Sequence, residues 1–294
     1  MLATVLALAL AAASAGGESA SVRTASVVPA PVTAVAAGDI ASCEGEGDAE
    51  TATLVRQLDP DVVLTLGDNA YPSGAPDEFA RCYEPTWGAF RERTRPAPGN
   101  HDYATPGAAG YFGYFGERAP GPYYSFDLGA WHIVSLNSEL DHDAASPQLR
   151  WLRADLRRDR HRCELLYWHR PRWNAGRHPP DATTQPLWQA AFDHGVDVVL
   201  AGHEHSYQRF RRLDARGRPD RRHGVQQLIV GTGGRSLYAL APSEHRVAAS
   251  ASGFGVVELA LRTRGYSLRF VPAAGGTYAD RFRWGTCHGT PPRR

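Results

Sequence analysis

Short, continuous apolar runs, each closed by a small polar cluster, recur along this chain. Val32–Ala37, Val62–Leu66, Cys163–Trp168 and Val196–Ala201 are rich in Val and Leu and too short for helices. They predict buried strands. Asp48–Leu58, Pro147–Arg158 and Pro186–His194 predict helices, and the last two begin with Pro, which suits a first helical turn. Strands alternating with helices predict an α/β domain in which helices cover a sheet. A second texture interrupts the first. Tyr123–Asp127 and Trp131–Asn137 flank Leu128-Gly129-Ala130 and predict a β-hairpin. From Gln226 onward the chain reads as mostly strand, in Gln227–Val230, Gly255–Leu261 and Tyr266–Val271, with a turn near Gly265. No internal repeat breaks residues 32–294, which are expected to form one mixed-sheet domain.

Composition narrows the class only slightly. The 294 residues are 43% hydrophobic and 21% charged, an ordinary globular balance. A formal charge of +1 gives no electrostatic case for nucleic acid as a structural partner or for an anionic membrane. All 32 basic residues are Arg, which reads as codon bias and not as a phosphate-binding adaptation. Residues 2–13 are apolar and lead into Ala13-Ser14-Ala15, an A-x-A cleavage pattern in a run too short to span a bilayer. Residues 1–15 are therefore expected to be a signal peptide, and 16–31, rich in Ala, Ser, Gly and Pro, a flexible linker.

The four cysteines, Cys43, Cys82, Cys163 and Cys287, include no C-x-x-C spacing, which argues against a zinc knuckle or a redox motif. With the leader they predict a secreted or cell-envelope protein with two disulfides. Three connectivities are open. Cys43–Cys82 with Cys163–Cys287 is preferred, the second tying the C-terminal end to the strand that leads into His169. Oligomeric state has no signal in the sequence.

The polar clusters hold the candidate chemistry. They are Gly38-Asp39, Gly67-Asp68-Asn69-Ala70-Tyr71, Gly99-Asn100-His101-Asp102, Tyr167-Trp168-His169 and Gly202-His203-Glu204-His205. Asp39, Asp68, His169 and His203 each directly follow a predicted strand, and Asn100 follows the shorter stretch Arg95–Pro98. Ligands of open α/β sheets bind beyond the carboxyl ends of the strands. Taken singly, each residue has a plainer reading as a turn, cap or core residue. His203 and His205 would point to one side if extended. Together, Asp, Asn, Tyr and His delivered to one edge are what a two-metal site needs.

With these five blocks in order, the stretch from Val32 to Gly234 resembles the calcineurin-like metallophosphoesterases, and more narrowly the purple acid phosphatase group. The resemblance implies a four-layer αββα sandwich of two facing mixed sheets with a dimetal site at one edge. It implies that Asp39, Tyr71 and His205 hold the first metal, that Asp68 bridges both, and that Asn100, His169 and His203 hold the second. It places His101 facing the substrate and not on metal. Ala41 stands where the general family has a ligand His, and Tyr71 stands where purple acid phosphatases place a tyrosinate. A phenol ionises at about pH 10, so the ion at Tyr71 is expected to be Fe(III), with Fe(II), Zn or Mn as the second.

The implied reaction is hydrolysis of small phosphate monoesters by a metal-bridging hydroxide, with His101 protonating the leaving oxygen. A phosphodiesterase or nucleotidase on the same site, or a secreted metal- or phosphate-binding protein without turnover, are the alternatives. His178, in Asn174-Ala175-Gly176-Arg177-His178, is carried over as a substrate contact. Arg170 and Arg172 read either as anion contacts or as surface charges, and Asp102 is given no catalytic role. Gly231-Thr232-Gly233-Gly234 lacks the lysine of a phosphate-binding loop and is expected to be structural.

Overall fold

A computed structural model describes residues 30–45, 47–240 and 246–289. The expected leader, and nearly all of the expected linker, lie outside those residues. The chain builds two sheets. The first contains β1 (Val32–Ala37), β2 (Val62–Leu66), β3 (Thr94–Ala97), β11 (Gly255–Arg262), β12 (Gly265–Pro272) and β13 (Asp280–Thr286), in the spatial order β13-β12-β11-β1-β2-β3. The second contains β4 (Tyr124–Leu128), β5 (Trp131–Ser135), β6 (Cys163–Tyr167), β7 (Val198–Ala201), β8 (Tyr207–Phe210), β9 (Gln226–Val230) and β10 (Val247–Ala251), in the order β10-β8-β9-β7-β6-β5-β4. Both are mixed. β1, β2 and β3 pair in parallel, as do β5, β6, β7 and β9, and the remaining pairs are antiparallel.

Side-chain alternation along the strands of the second sheet sets the layers. Ile133, Leu165, Tyr167, Leu200, Leu228 and Val230 join the core shared with the first sheet. Their neighbours Val134, Leu166, Val199 and Ile229 pack instead with Leu149, Leu152 and Leu156 of α4 (Pro147–Arg158) and with Leu187 and Trp188 of α5 (Gln185–His194). On the other side α1 (Gly47–Leu58) buries Ala52 and Val55 and lies against β11. This is the expected αββα sandwich. Two shorter helices, α2 (Pro76–Glu78) and α3 (Ala109–Phe115), belong to the excursion between β2 and β4. The α4 boundaries follow local chemistry. Ser146 caps the N-terminus by accepting from the Leu149 amide, Pro147 starts the first turn, and Arg157 and Arg158 meet the negative end of the dipole.

Differences from the sequence reading have physical causes. The strand expected from Val196 starts at Val198, because the Val196 amide closes α5 by donating to the Ala191 carbonyl. β8, β10 and β13 were not anticipated. β8 and β13 carry polar or charged residues among their apolar ones, and β10 is built from small residues at a sheet edge. Disulfides join Cys43 to Cys82 and Cys163 to Cys287, the preferred pairing.

Leu165 is fully buried in the middle of β6. Leu165→Ala should lower the unfolding free energy by about 2–5 kcal/mol, read from urea denaturation, and a change under 1 kcal/mol would contradict the close-packed core.

Candidate metal centre

Because β1, β2 and β3 run in parallel in one sheet, and β6 and β7 in the other, their carboxyl ends deliver side chains to one edge. The chain leaves three of these ends in a left-handed conformation: Asp39 has φ 59°, Asp68 52° and His203 68°. Five non-glycine residues have positive φ among the described residues, and three of them are here. Such strain persists where the surroundings over-determine it, which marks this edge as constrained for more than packing. Gly99 shows how close the turns approach. A Cβ there would stand 2.2 Å from Asp68 Oδ1.

The side chains meet in two overlapping sets. In the first, Tyr71 Oη lies 3.0 Å from Asp39 Oδ1, 2.9 Å from Asp68 Oδ2 and 3.4 Å from His205 Nε2, and His205 Nε2 lies 3.3 Å from Asp39 Oδ1. In the second, His169 Nε2 lies 3.3 Å from Asp68 Oδ2, 3.2 Å from Asn100 Oδ1 and 3.2 Å from His203 Nδ1. Asp68 Oδ2 belongs to both. All seven residues named from the sequence therefore converge. One detail of that reading is corrected: His203 is not extended, and the rings of His203 and His205 part to opposite sets.

Electrostatics and orientation suit cations. Asp39 is fully buried and Asp68 nearly so. Burial alone would raise the Asp68 carboxyl, but His169 and His101 pull it below the usual carboxylate range. Burial opposes a charged His169, yet Asp68, Asp39 and Glu139 outweigh it and hold that ring up to about 10. Burial, followed by the carboxylates of Asp39 and Asp68, pushes the Tyr71 phenol well above its ordinary value. Burial and the positive charges of His169, Arg170 and His178 hold His203 down to about 2, a neutral ring fit to donate a lone pair. The ring nitrogens facing away are anchored. His169 Nδ1 is 2.9 Å from the Leu66 carbonyl and His205 Nδ1 is 2.8 Å from Ser236 Oγ, the kind of outer contact that fixes a ligand imidazole. An O/N donor set with an oriented second layer fits two borderline or hard ions.

The family model for calcineurin-like phosphoesterase matches residues 33–207, well over half of the chain. The chain belongs to the calcineurin-like phosphoesterase family. Among curated members, purple acid phosphatase 18 of Arabidopsis thaliana is 29% identical over 232 residues, 69% of this chain and 50% of that protein. Human acid phosphatase type 7 is 29% identical over 180 residues, 51% of this chain and 40% of that protein. The chain thus spans about half the length, or less, of these curated relatives. Among solved structures, the purple acid phosphatase PPD1 of yellow lupin (Lupinus luteus) superposes with a TM-score of 0.67 at 21% identity, covering 87% of this chain and 55% of that one. The GAP50 anchor of the Plasmodium inner membrane complex gives 0.69 at 11% identity, covering 90% and 91%. These two likenesses show the shared fold.

Other residues line the same edge. His101 donates its backbone N–H to Asp68 Oδ1 at 2.8 Å, its Nδ1 lies 2.6 Å from the Pro72 carbonyl, and its Nε2 stands 3.9 Å from Asp68 Oδ2. His178 stacks on His203 with ring centres 4.6 Å apart and sets Nδ1 3.1 Å from Glu204. Arg170 pairs with Glu139 at 2.9 Å and reaches to 3.3 Å of His203 Nε2, whereas Arg172 stacks on Trp173 away from the cluster. Asp102 accepts from the Gly99 and Asn69 amides, tying the β2 and β3 turns together. Gly233 is structural, since a Cβ there would meet the Gly38 carbonyl at 2.5 Å.

Four contributors were missed. Ser236 and Tyr238 support His205, one by its hydroxyl and one by a parallel ring 4.3 Å away. Buried Glu204 accepts from Asn174, Arg177 and His178 and so holds that loop over the edge. Glu139 anchors Arg170. Glu204 had a signal, a carboxylate between two ligand-type histidines. The other three had none.

Gly99→Ala should destabilise the fold by about 1–3 kcal/mol through overpacking on Asp68. Gly113→Ala, in α3 with open space around it, should be neutral or stabilising. Urea denaturation compares the two, and equal effects would refute the crowding at Asp68.

Proposed function

We propose that this chain is a dimetal phosphoesterase that hydrolyses small phosphate monoesters outside the reducing cytosol. The observation that carries the reading is Asp68 Oδ2, 2.9 Å from Tyr71 Oη and 3.3 Å from His169 Nε2, one carboxylate oxygen at the shared vertex of two donor sets. Asp39, Tyr71, His205 and Asp68 would hold the first ion, and Asp68, Asn100, His169 and His203 the second. Ala41 supplies no ligand, so the Tyr71 oxygen completes the first set. Its phenol is held well above the ordinary value by burial and two carboxylates, so a strongly Lewis-acidic ion is needed to displace its proton. Fe(III) answers that requirement, with Fe(II), Zn or Mn at the second set. When bound, such a pair acidifies water into a nucleophile and takes up phosphoryl charge.

The protein's own groups supply the rest. The Pro72 carbonyl keeps a proton on His101 Nδ1, which leaves Nε2 toward Asp68 as the atom that carries a proton to the leaving oxygen. Its side chain is 40% exposed, so an ester can reach it from solvent. Glu204 engages His178 Nδ1, which leaves Nε2 as the atom to touch phosphate. The names of the acid phosphatase relatives support the monoester class. Two disulfides support an oxidising compartment.

His101→Ala should keep its bound metal and lose about 10²–10⁴-fold in kcat on p-nitrophenyl phosphate; unchanged turnover removes His101 from the reaction. Tyr71→Phe should abolish the visible tyrosinate-to-iron absorption of the iron-loaded protein, and a persisting band would assign that ion elsewhere. Faster turnover of bis-p-nitrophenyl phosphate than of the monoester would move the reading to a diesterase. Two bound ions with no ester hydrolysed would move it to a binding protein.

A further inference from the structure

A second histidine–carboxylate cluster lies at the opposite end of the same sheet. His132 sits near the start of β5, paired across the ladder with Glu164 at the start of β6, and His161 lies two residues before β6. The strand separates these residues from His169 by on the order of 20 Å. Donor atoms of Asp127, His132 and His161 lie within 4.8 Å of one another. His132 Nδ1 is 2.8 Å from Asp127 Oδ1 and 3.8 Å from Asp159 Oδ1, and His161 Nδ1 is 2.6 Å from Asp159 Oδ1 and 3.9 Å from Asp127 Oδ1. Asp127, His132 and His161 thus bring one oxygen and two nitrogens within the reach of a single ion, and Asp159 bonds His161 at the edge of that set.

Two further observations point to a ligand there. The far nitrogen of His132, Nε2, meets Asp155 Oδ2 at 2.8 Å, and Ser125 Oγ donates to Asp155 Oδ1 at 3.1 Å. That is the carboxylate–histidine arrangement which orients an imidazole on a metal. Glu164, buried beside Asp159, has an oxygen, Oε2, with no hydrogen-bond partner. Four carboxyl groups therefore surround two imidazoles, an excess of negative charge in a partly buried place.

We propose that Asp127, His132 and His161 form a separate site for one divalent ion of the zinc type, with Asp159 beside His161, which pins the β4–β5 hairpin to the entry of β6. Two imidazoles and a carboxylate, with the remaining position open to water, are ligands zinc accepts readily. Both Asp127 and His161 are reachable from solvent, so the ion has an entry path.

The test counts zinc on the full-length protein after chelator stripping, refilling with excess zinc and desalting. The double variant Asp127→Asn/His161→Gln should hold about one zinc ion fewer per chain than the wild type. It should also lose a zinc-dependent rise in Tm that the wild type shows. His161→Gln alone, at a partly exposed position, is the companion should the double variant fail to fold, with the same loss expected. Equal zinc counts in wild type and folded variant would overturn the proposal and leave the cluster as an ion-pair network. The difference between the two proteins reports this site alone, whatever the centre at Asp68 holds.

Discussion

Taking the carboxylates of Asp39 and Asp68 out of water costs several kcal/mol each unless opposite charge meets them. Almost every other feature of the functional edge answers that cost. Histidines come from the turns after β6 and β7, backbone N–H groups of His101 and His203 donate to the two carboxylates, and Tyr71 offers its hydroxyl to both. What these groups leave unanswered is net negative charge, and cations are the natural complement. The two-sheet sandwich is the means of assembly. By ending parallel strands from two sheets at one edge, it gathers five chain segments about the two carboxylates.

Precision at that edge is held by contacts one layer out. Leu66, Ser236 and Pro72 fix the ring orientations of His169, His205 and His101, while Asp102 ties together the turns that carry Asp68 and Asn100. Glu204 plays the corresponding part for the loop bearing His178. Apart from Asp102 to Gly99, each of the bonds made by Leu66, Ser236, Pro72 and Asp102 joins residues 29 to 103 positions apart in the chain, so the geometry depends on the assembled sheets.

Much of this was legible in the sequence because ligand-type residues followed apolar runs at glycine-marked turns, a pattern that survives without knowledge of tertiary contacts. β1, β2 and α4 were legible to the residue for the same reason, an unbroken apolar run or a capped amphipathic stripe. Ser236 and Tyr238 were not. They reach His205 only after the segment following β9 folds back, and nothing in their neighbours announces it. β13 was hidden because an edge strand with one wet face alternates Arg with aromatic residues and reads as surface. The sequence suggested a common side for His203 and His205 from an extended backbone, and the left-handed turn at His203 separated them.

β6 has an unusual number of obligations. A disulfide holds its first residue, its five side chains are all buried, alternate ones serve two different cores, and parallel neighbours flank it on both sides. Its chain then runs straight on to His169. Opening its amides to solvent requires undoing both cores together, so hydrogen exchange there is limited by global unfolding. The loop bearing His178 is held instead by hydrogen bonds to Glu204 and Gln208 and by ring contacts at the surface. The floor of this site is therefore expected to outlast its rim.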